Sequence, residues 1–254
     1  MKTLLIYDDL VSLNRDLHRE LRLAPVDAQF AFARETNSVL IAATELPLAA
    51  LDFPCVFIET DNGHSLAALV GLRDHENLFV QPDGRWTSGT YLPAFFRRYP
   101  FVLAETEGDP NFTVCLDRAY SGLNTEKGEA LFDAEGQETS WLEEIKRFLV
   151  SFRQEMTASR EFAHHLADLG VLEDGVIEYT LNGEKSTLRG FKTVNESRLR
   201  ALDAAALKDL ADKGWLGLAY AHLLSVNHVQ RLALRLDQRR EFDAAQSATA
   251  AAKH

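Results

Sequence analysis

SWLEEIKRFLVSFRQEMTASREFAHHLADLG, residues 140–170, is the stretch where the period of the chain changes and the fold class is decided. Apolar side chains stand at Trp141, Ile145, Phe148, Leu149, Phe152, Met156, Phe162, Ala163, Leu166 and Leu169. Steps of three and four dominate, which places them on one face of a helix about 28 residues long. Thr139 or Ser140 can cap its start, Glu143 and Glu144 suit the positive end of the helix dipole, and Gly170 closes it.

Upstream of this helix the chemistry is that of strands and turns. Pro54 opens CVFIE, Asp61-Asn62-Gly63 is a turn signal, and SLAALVGL follows as a partner, so a hairpin is expected. NLFV and RW flank the proline-initiated turn Pro82-Asp83-Gly84, and FVLAE and FTVCLD are separated by Glu107-Gly108-Asp109-Pro110. Short strands at this spacing predict an antiparallel sheet in the N-terminal half.

Downstream, VIEYTL and KSTLRGFKTV bracket Asn182-Gly183, whose residues suit a tight hairpin turn. Asn195 caps ESRLRAL, Asp203 caps AAALKDLADK, Gly214 ends that helix, and WLGLAYAHLLSVNHVQRLALRL supplies one or two more helices. The order predicts an α+β fold with a long central helix, an Asn-Gly hairpin and C-terminal helices. A single domain over residues 1–254 is expected, with the turn-rich stretch 134–140 as the place where it would subdivide. Residues 243–254 lack large apolar side chains and read as a flexible tail.

Composition narrows the function classes. The chain has 254 residues, 46% hydrophobic and 26% charged, with a net charge of −11. That balance argues against nucleic-acid binding, which needs a basic face to displace counterions. Glu45, Pro47 and Asp52 break the longest apolar run, so no membrane span is expected. The N-terminus lacks a secretory apolar core, and a cytoplasmic location follows as the expectation. Cys55 and Cys115, sixty residues apart in strand-like runs, read as buried free thiols.

Histidine offers few catalytic patterns. His164 and His165 are adjacent on the long helix and point about 100° apart, so they cannot hold one metal together. His165 shares a stripe with Glu161 and Asp168, which reads first as a solvated polar face. His222 and His228 lie on different faces of a continuous helix, and each suits a cap or a core edge. His18-x-Glu20 has a spacing found in iron sites, yet no distal histidine is marked; the enzyme reading places His18 and one of His75 or His222 in the site. No nucleophile elbow and no glycine-rich phosphate loop occur. No metal or cofactor is expected.

The densest constellation lies at Trp86–Pro100. Trp86, Tyr91, Phe95, Phe96 and Tyr99 surround Arg97-Arg98. Rings can form a stacking floor, and guanidinium groups can fork onto a carboxylate. The plainer alternative is that the phenylalanines are core and the arginines anchor loops.

VSLNRDLHRELRL, GLRDHENLFVQPDGRW, YLPAFFRRYPFVL, LFDAEGQET, GFKTVNESRLRAL and LADKGWLGLAYAHLLSVNHVQRL together resemble the SapC-like family of bacterial proteins over nearly the whole chain. It is distinct from the peptide-transporter permease of the same name. The resemblance implies a gene neighbourhood rather than a mechanism: a surface-layer cluster, or proximity to TonB-dependent receptors. Positions matching the family pattern are His18, Asn77, Trp86, Tyr91, Pro93, Arg97, Arg98, Tyr99, Pro100 and His222. Eight of them (His18, Asn77, Trp86, Tyr91, Arg97, Arg98, Tyr99 and His222) are the candidate ligand-binding residues.

The function expected from sequence is a non-catalytic accessory protein binding a peptide, a small acidic ligand or a partner protein. One alternative is a metal- or oxygen-dependent enzyme. Another is a structural homodimer subunit, paired through Trp215, Leu218, Tyr220, Leu223 and Leu224.

Overall fold

A computed structural model describes residues 6–60, 63–105, 112–181 and 183–251. The fold is α+β with antiparallel pairing throughout its sheets. The chain forms two compact units, and residues 134–140 lie inside the first. That unit comprises Met1–Ala33, Val80–Thr87 and Ala94–Glu155; the second comprises Arg34–Phe79, Ser88–Pro93 and Met156–His254.

In the first unit, Phe112–Asp117 is the centre of a three-stranded sheet, with Leu10–Ser12 on one edge and Phe101–Glu105 on the other. A smaller sheet pairs Arg22–Leu23 with Leu123–Asn124 and Glu129–Ala130. Leu23, Phe101, Leu116, Leu131, Phe132, Leu142 and Leu149 form its core. Burying each such side chain contributes about 1.5–3 kcal/mol. The loop between the two long strands, predicted at residues 107–110, lies outside the described residues.

In the second unit, five strands run in the order Leu172–Asp174, Lys192–Val194, Cys55–Thr60, Gly63–Leu69, Ser38–Leu40. The expected hairpin pairs Cys55 with Ala68 and Thr60 with Gly63, although Asp61 and Asn62 of its turn lie outside the described residues. The antiparallel pairing expected of the N-terminal half is present, and its strands divide between sheets. FVLAE and FTVCLD belong to a different sheet from CVFIE, and two strands of the largest sheet come from the C-terminal half. KSTLRGFKTV is also not one strand. Gly190, at φ +91°, turns the chain after Glu184–Leu188, so Lys192–Val194 joins the larger sheet instead of the hairpin. The hairpin itself pairs Ile177–Leu181 with Glu184–Leu188; Asn182 lies outside the described residues.

The long helix spans Ser140–Asp168. Thr139 Oγ1 accepts the Leu142 amide proton at 3.3 Å. At the other end Gly170, at φ +67°, donates to the Ala167 carbonyl while Val171 donates to Leu166, closing the last turn. Asn195 and Asp203 cap Glu196–Arg200 and Ala204–Asp212 as expected. The apolar C-terminal stretch divides into Trp215–Ser225 and Val229–Ala251 around a short 3₁₀ turn. The last helix continues to Ala251, well past residue 243, where the tail was expected to begin. Alanine has the highest intrinsic helix propensity, so an alanine-rich end sustains helical hydrogen bonding without large apolar side chains.

Candidate functional site

Four of the eight candidates make hydrogen bonds within their own units. In the first unit, His18 Nδ1 accepts the Asn14 amide proton at 2.9 Å, and Asn14 Oδ1 in turn caps the short helix Arg15–His18. In the second unit, buried Asn77 turns the chain by accepting from Phe79 N through Oδ1 at 3.0 Å. Tyr91 donates its amide proton to Asp52 Oδ2 at 2.7 Å and its hydroxyl to buried Glu45 Oε1 at 2.9 Å.

His222 is wholly buried, packed on Phe57 with ring centroids 4.9 Å apart, and its Nε2 accepts from Val194 N at 3.0 Å. Burial holds the imidazole neutral, lowering its pKa to about 4 against a weaker opposing effect of the Cys55 backbone. Ser225 Oγ lies on the same patch, accepting from Cys55 N at 3.0 Å and donating to the His222 carbonyl at 2.6 Å. Cys55, His222 and Ser225 have the residue types of a nucleophilic site, but all three are sealed. Burial pushes the Cys55 thiol up to about 12, the opposite of activation. Both cysteines are free and buried.

The histidines of the enzyme reading divide between the units. His18 belongs to the first, whereas His75, exposed at φ +55°, and His222 belong to the second. Among the described residues, no three His, Cys, Asp or Glu side chains gather as a metal site. The residues suggested for pairing helices separate too: Trp215 packs on Phe162 and His165, while Leu224 is 70% exposed.

The remaining four candidates, Trp86, Arg97, Arg98 and Tyr99, all belong to the first unit. Their geometry follows from the helix Ala94–Arg97, which continues with Arg98 N bonded to Ala94 O and Tyr99 N to Phe96 O. Successive residues diverge by about 100°, and residues three apart share a face. Phe96 and Tyr99 therefore turn together onto Phe32: Tyr99 stacks on it at 3.8 Å and 19°, while Phe96 meets it edge-on at 6.3 Å. Trp86 extends this row, 5.6 Å from Phe96 and 5.9 Å from Phe30.

Phe95 and Arg98 share the second face, with the guanidinium carbon 4.0 Å from the Phe95 ring centroid. Arg97 takes the third. The two arginines consequently diverge, and they do not fork jointly onto one acid. Both rest on the long helix instead, where Phe148 and Phe152 stand one turn apart with centroids 6.4 Å apart. Arg97 lies 5.5 Å over Phe148 and Arg98 5.4 Å over Phe152. Tyr7 closes the Arg98 side at 5.7 Å.

Electrostatically, Arg98 is the unusual member. Its Nε is buried and meets no acceptor, and no carboxylate lies within ion-pair distance of either arginine among the described residues. Desolvation lowers its pKa, partly opposed by attraction to Tyr7 and by a side-chain hydrogen bond to the Tyr7 hydroxyl. Burial likewise raises Tyr7 to about 12, with Arg98 pulling the other way. Each cation–ring contact contributes about 0.5–2 kcal/mol, less than a desolvated charge gains from a well-made ion pair with an anion. Arg97 is exposed.

Beside this group stands Asp117, which is fully buried and accepts from the amides of Asp8 (3.0 Å), Asp9 (2.9 Å) and Ala119 (3.0 Å). Burial first, and then the charge and hydrogen bonding of Asp117, raise the Tyr99 hydroxyl pKa. Tyr7, Phe148, Phe152 and Asp117 were not among the sequence candidates. Phe148 and Phe152 were read only as helix core, and nothing local marks Tyr7 or Asp117. A polar cleft of about 540 Å3, lined by Asn14, Arg15, Asp16, Phe132, Gly136, Gln137, Glu138 and Glu143, includes none of the eight candidates.

No helix among the described residues is long and apolar enough to cross a membrane. Comparison with curated proteins and with solved structures finds no match. Residues 13–232 match the model of the family described as SapC. The chain therefore belongs to the SapC family.

Proposed function

We propose that this SapC-family chain is a binding protein that takes an acidic peptide or a small acidic ligand at the Arg97–Arg98 face of its first unit. The observation that carries the reading is the Arg98 guanidinium, set among three aromatic rings without an internal anion. A desolvated charge is unfavourable until paired, and an acidic ligand supplies the missing partner. Arg97, exposed on the adjoining ring, adds a second positive charge in a chain whose net charge is −11.

The family neighbourhood favours a cytoplasmic accessory role in nutrient uptake through TonB-dependent receptors or in surface-layer function. Titrating the whole chain with a pool of glutamate- and aspartate-rich peptides tests the binding claim. Saturable binding that disappears in the double variant Arg97→Ala, Arg98→Ala is expected. Equal binding by a folded double variant would remove the basis of the proposal.

A further inference from the structure

Resting on that reading, we infer that the group held at Arg98 is a single planar carboxylate carried on an apolar or aromatic body, and that phosphate is refused. A guanidinium binds through its flat faces and through its in-plane N–H rim. At Arg98 the rings of Phe95, Phe152 and Tyr7 surround the cation at 4.0, 5.4 and 5.7 Å; the Tyr7 hydroxyl oxygen accepts from one edge of the guanidinium, and the N–H groups that remain on the rim are the ones that meet an anion. Nε is sealed, so an incoming anion meets the terminal nitrogens. A carboxylate matches two parallel in-plane N–H groups and then has no further oxygen to satisfy.

Phosphate has oxygens left over and often a second charge, and rings offer them nothing. The Tyr7 hydroxyl in the wall already donates to the Phe101 carbonyl at 2.8 Å and accepts from Arg98, so it has no proton to give a phosphate oxygen. A ligand body extending from the carboxylate meets aromatic surface, so an apolar body adds affinity. Arg97 lies about 100° around the helix on its own ring, Phe148, and attracts the anion from a distance without touching it. Arg98 is thus the specificity-determining residue and Arg97 the steering one.

The test is calorimetric or NMR titration of the full chain with 3-phenylpropionate, propionate, inorganic phosphate, the tripeptide Gly-Gly-Phe and its C-terminal amide. 3-Phenylpropionate is expected to bind about tenfold or more tighter than propionate, because its ring is buried. Phosphate is expected to show no saturable binding. Arg98→Lys, which keeps the charge but loses the fork, weakens 3-phenylpropionate by about tenfold, whereas Arg97→Ala weakens it by about threefold, a loss that high salt abolishes.

Arg98→Met serves as a second variant of similar apolar bulk, with circular dichroism confirming the fold. Binding of the free-acid tripeptide but not its amide supports the inference with a peptide end as the source. Binding of 3-phenylpropionate alone supports it with a small acid as the source. Phosphate binding as tightly as 3-phenylpropionate, the amide binding like the acid, or Arg98→Lys binding like the parent overturns it. If acidic peptides bind through the two arginines while these probes fail, the inference falls and the binding reading stands. If nothing acidic binds, both fall.

Discussion

Acidification should unload one identifiable residue of the second unit. His222 is wholly buried, accepts a hydrogen bond from Val194 N and has its pKa lowered from 6.5 to about 4. A depressed histidine pKa means that the unfolded chain binds the proton more readily than the folded one. The stability carried by the neutral ring is therefore complete above pH 6.5 and is lost as pH falls toward 4. Linkage gives a loss of about 1 kcal/mol at pH 5.5 and about 2–3 kcal/mol at pH 4.5, relative to pH 7.5. His222→Gln places an amide oxygen near the position of Nε2, retains an acceptor for Val194 N and does not titrate. Urea unfolding of both proteins followed by circular dichroism at pH 7.5, 6.5, 5.5 and 4.5 isolates the residue, since carboxylates common to both cancel. The difference in unfolding free energy between parent and variant should shrink by these amounts as pH falls. A difference that is flat with pH, or that grows in acid, would refute the assignment.

Two further substitutions probe the buried polar groups. Asp117→Asn replaces an oxygen that receives backbone N–H groups from Asp8, Asp9 or Ala119 with a donor, and should destabilise the first unit by about 2–4 kcal/mol in urea unfolding. Ser225→Ala leaves the buried Cys55 amide without its acceptor and should lower unfolding free energy by about 1–3 kcal/mol, with Cys55 remaining unreactive toward thiol reagents in the folded parent.

Local chemistry made much of the architecture legible. The 3–4 spacing from Trp141 to Leu169 defined the long helix almost to the residue, because one face of it is buried. Asn195, Asp203 and Gly170 signalled helix ends through geometry that each residue type favours. Strand partnership was less readable, since pairing is a long-range choice. Nothing near Lys192 announces Phe57 as its partner, and the positive φ at Gly190 that separates it from the hairpin looks like any other glycine in sequence.

The candidate site was half legible for the same reason. The density of rings and arginines before Pro100 was visible, and their three-way divergence follows from helical geometry once Ala94–Arg97 is known to be helical. Phe148 and Phe152, some fifty residues away, were masked by their membership of a helix face that reads as core. His18, Asn77 and His222 shared the family pattern with the arginines, yet each accepts a backbone amide proton that shapes its own unit. A polar side chain that replaces a missing backbone partner is indistinguishable in sequence from one that awaits a ligand.

Arg98 separates these roles most directly in a single measurement: urea unfolding of the parent and of Arg98→Met, each with and without 3-phenylpropionate at tenfold its dissociation constant for the parent. A cation lacking an internal anion should be replaceable by methionine with little change in intrinsic stability, and only the parent should gain from the ligand, by about 1.4 kcal/mol. Equal stabilisation of both proteins, or a ligand-free variant weakened by more than about 2 kcal/mol as for a lost structural strut, would contradict the account.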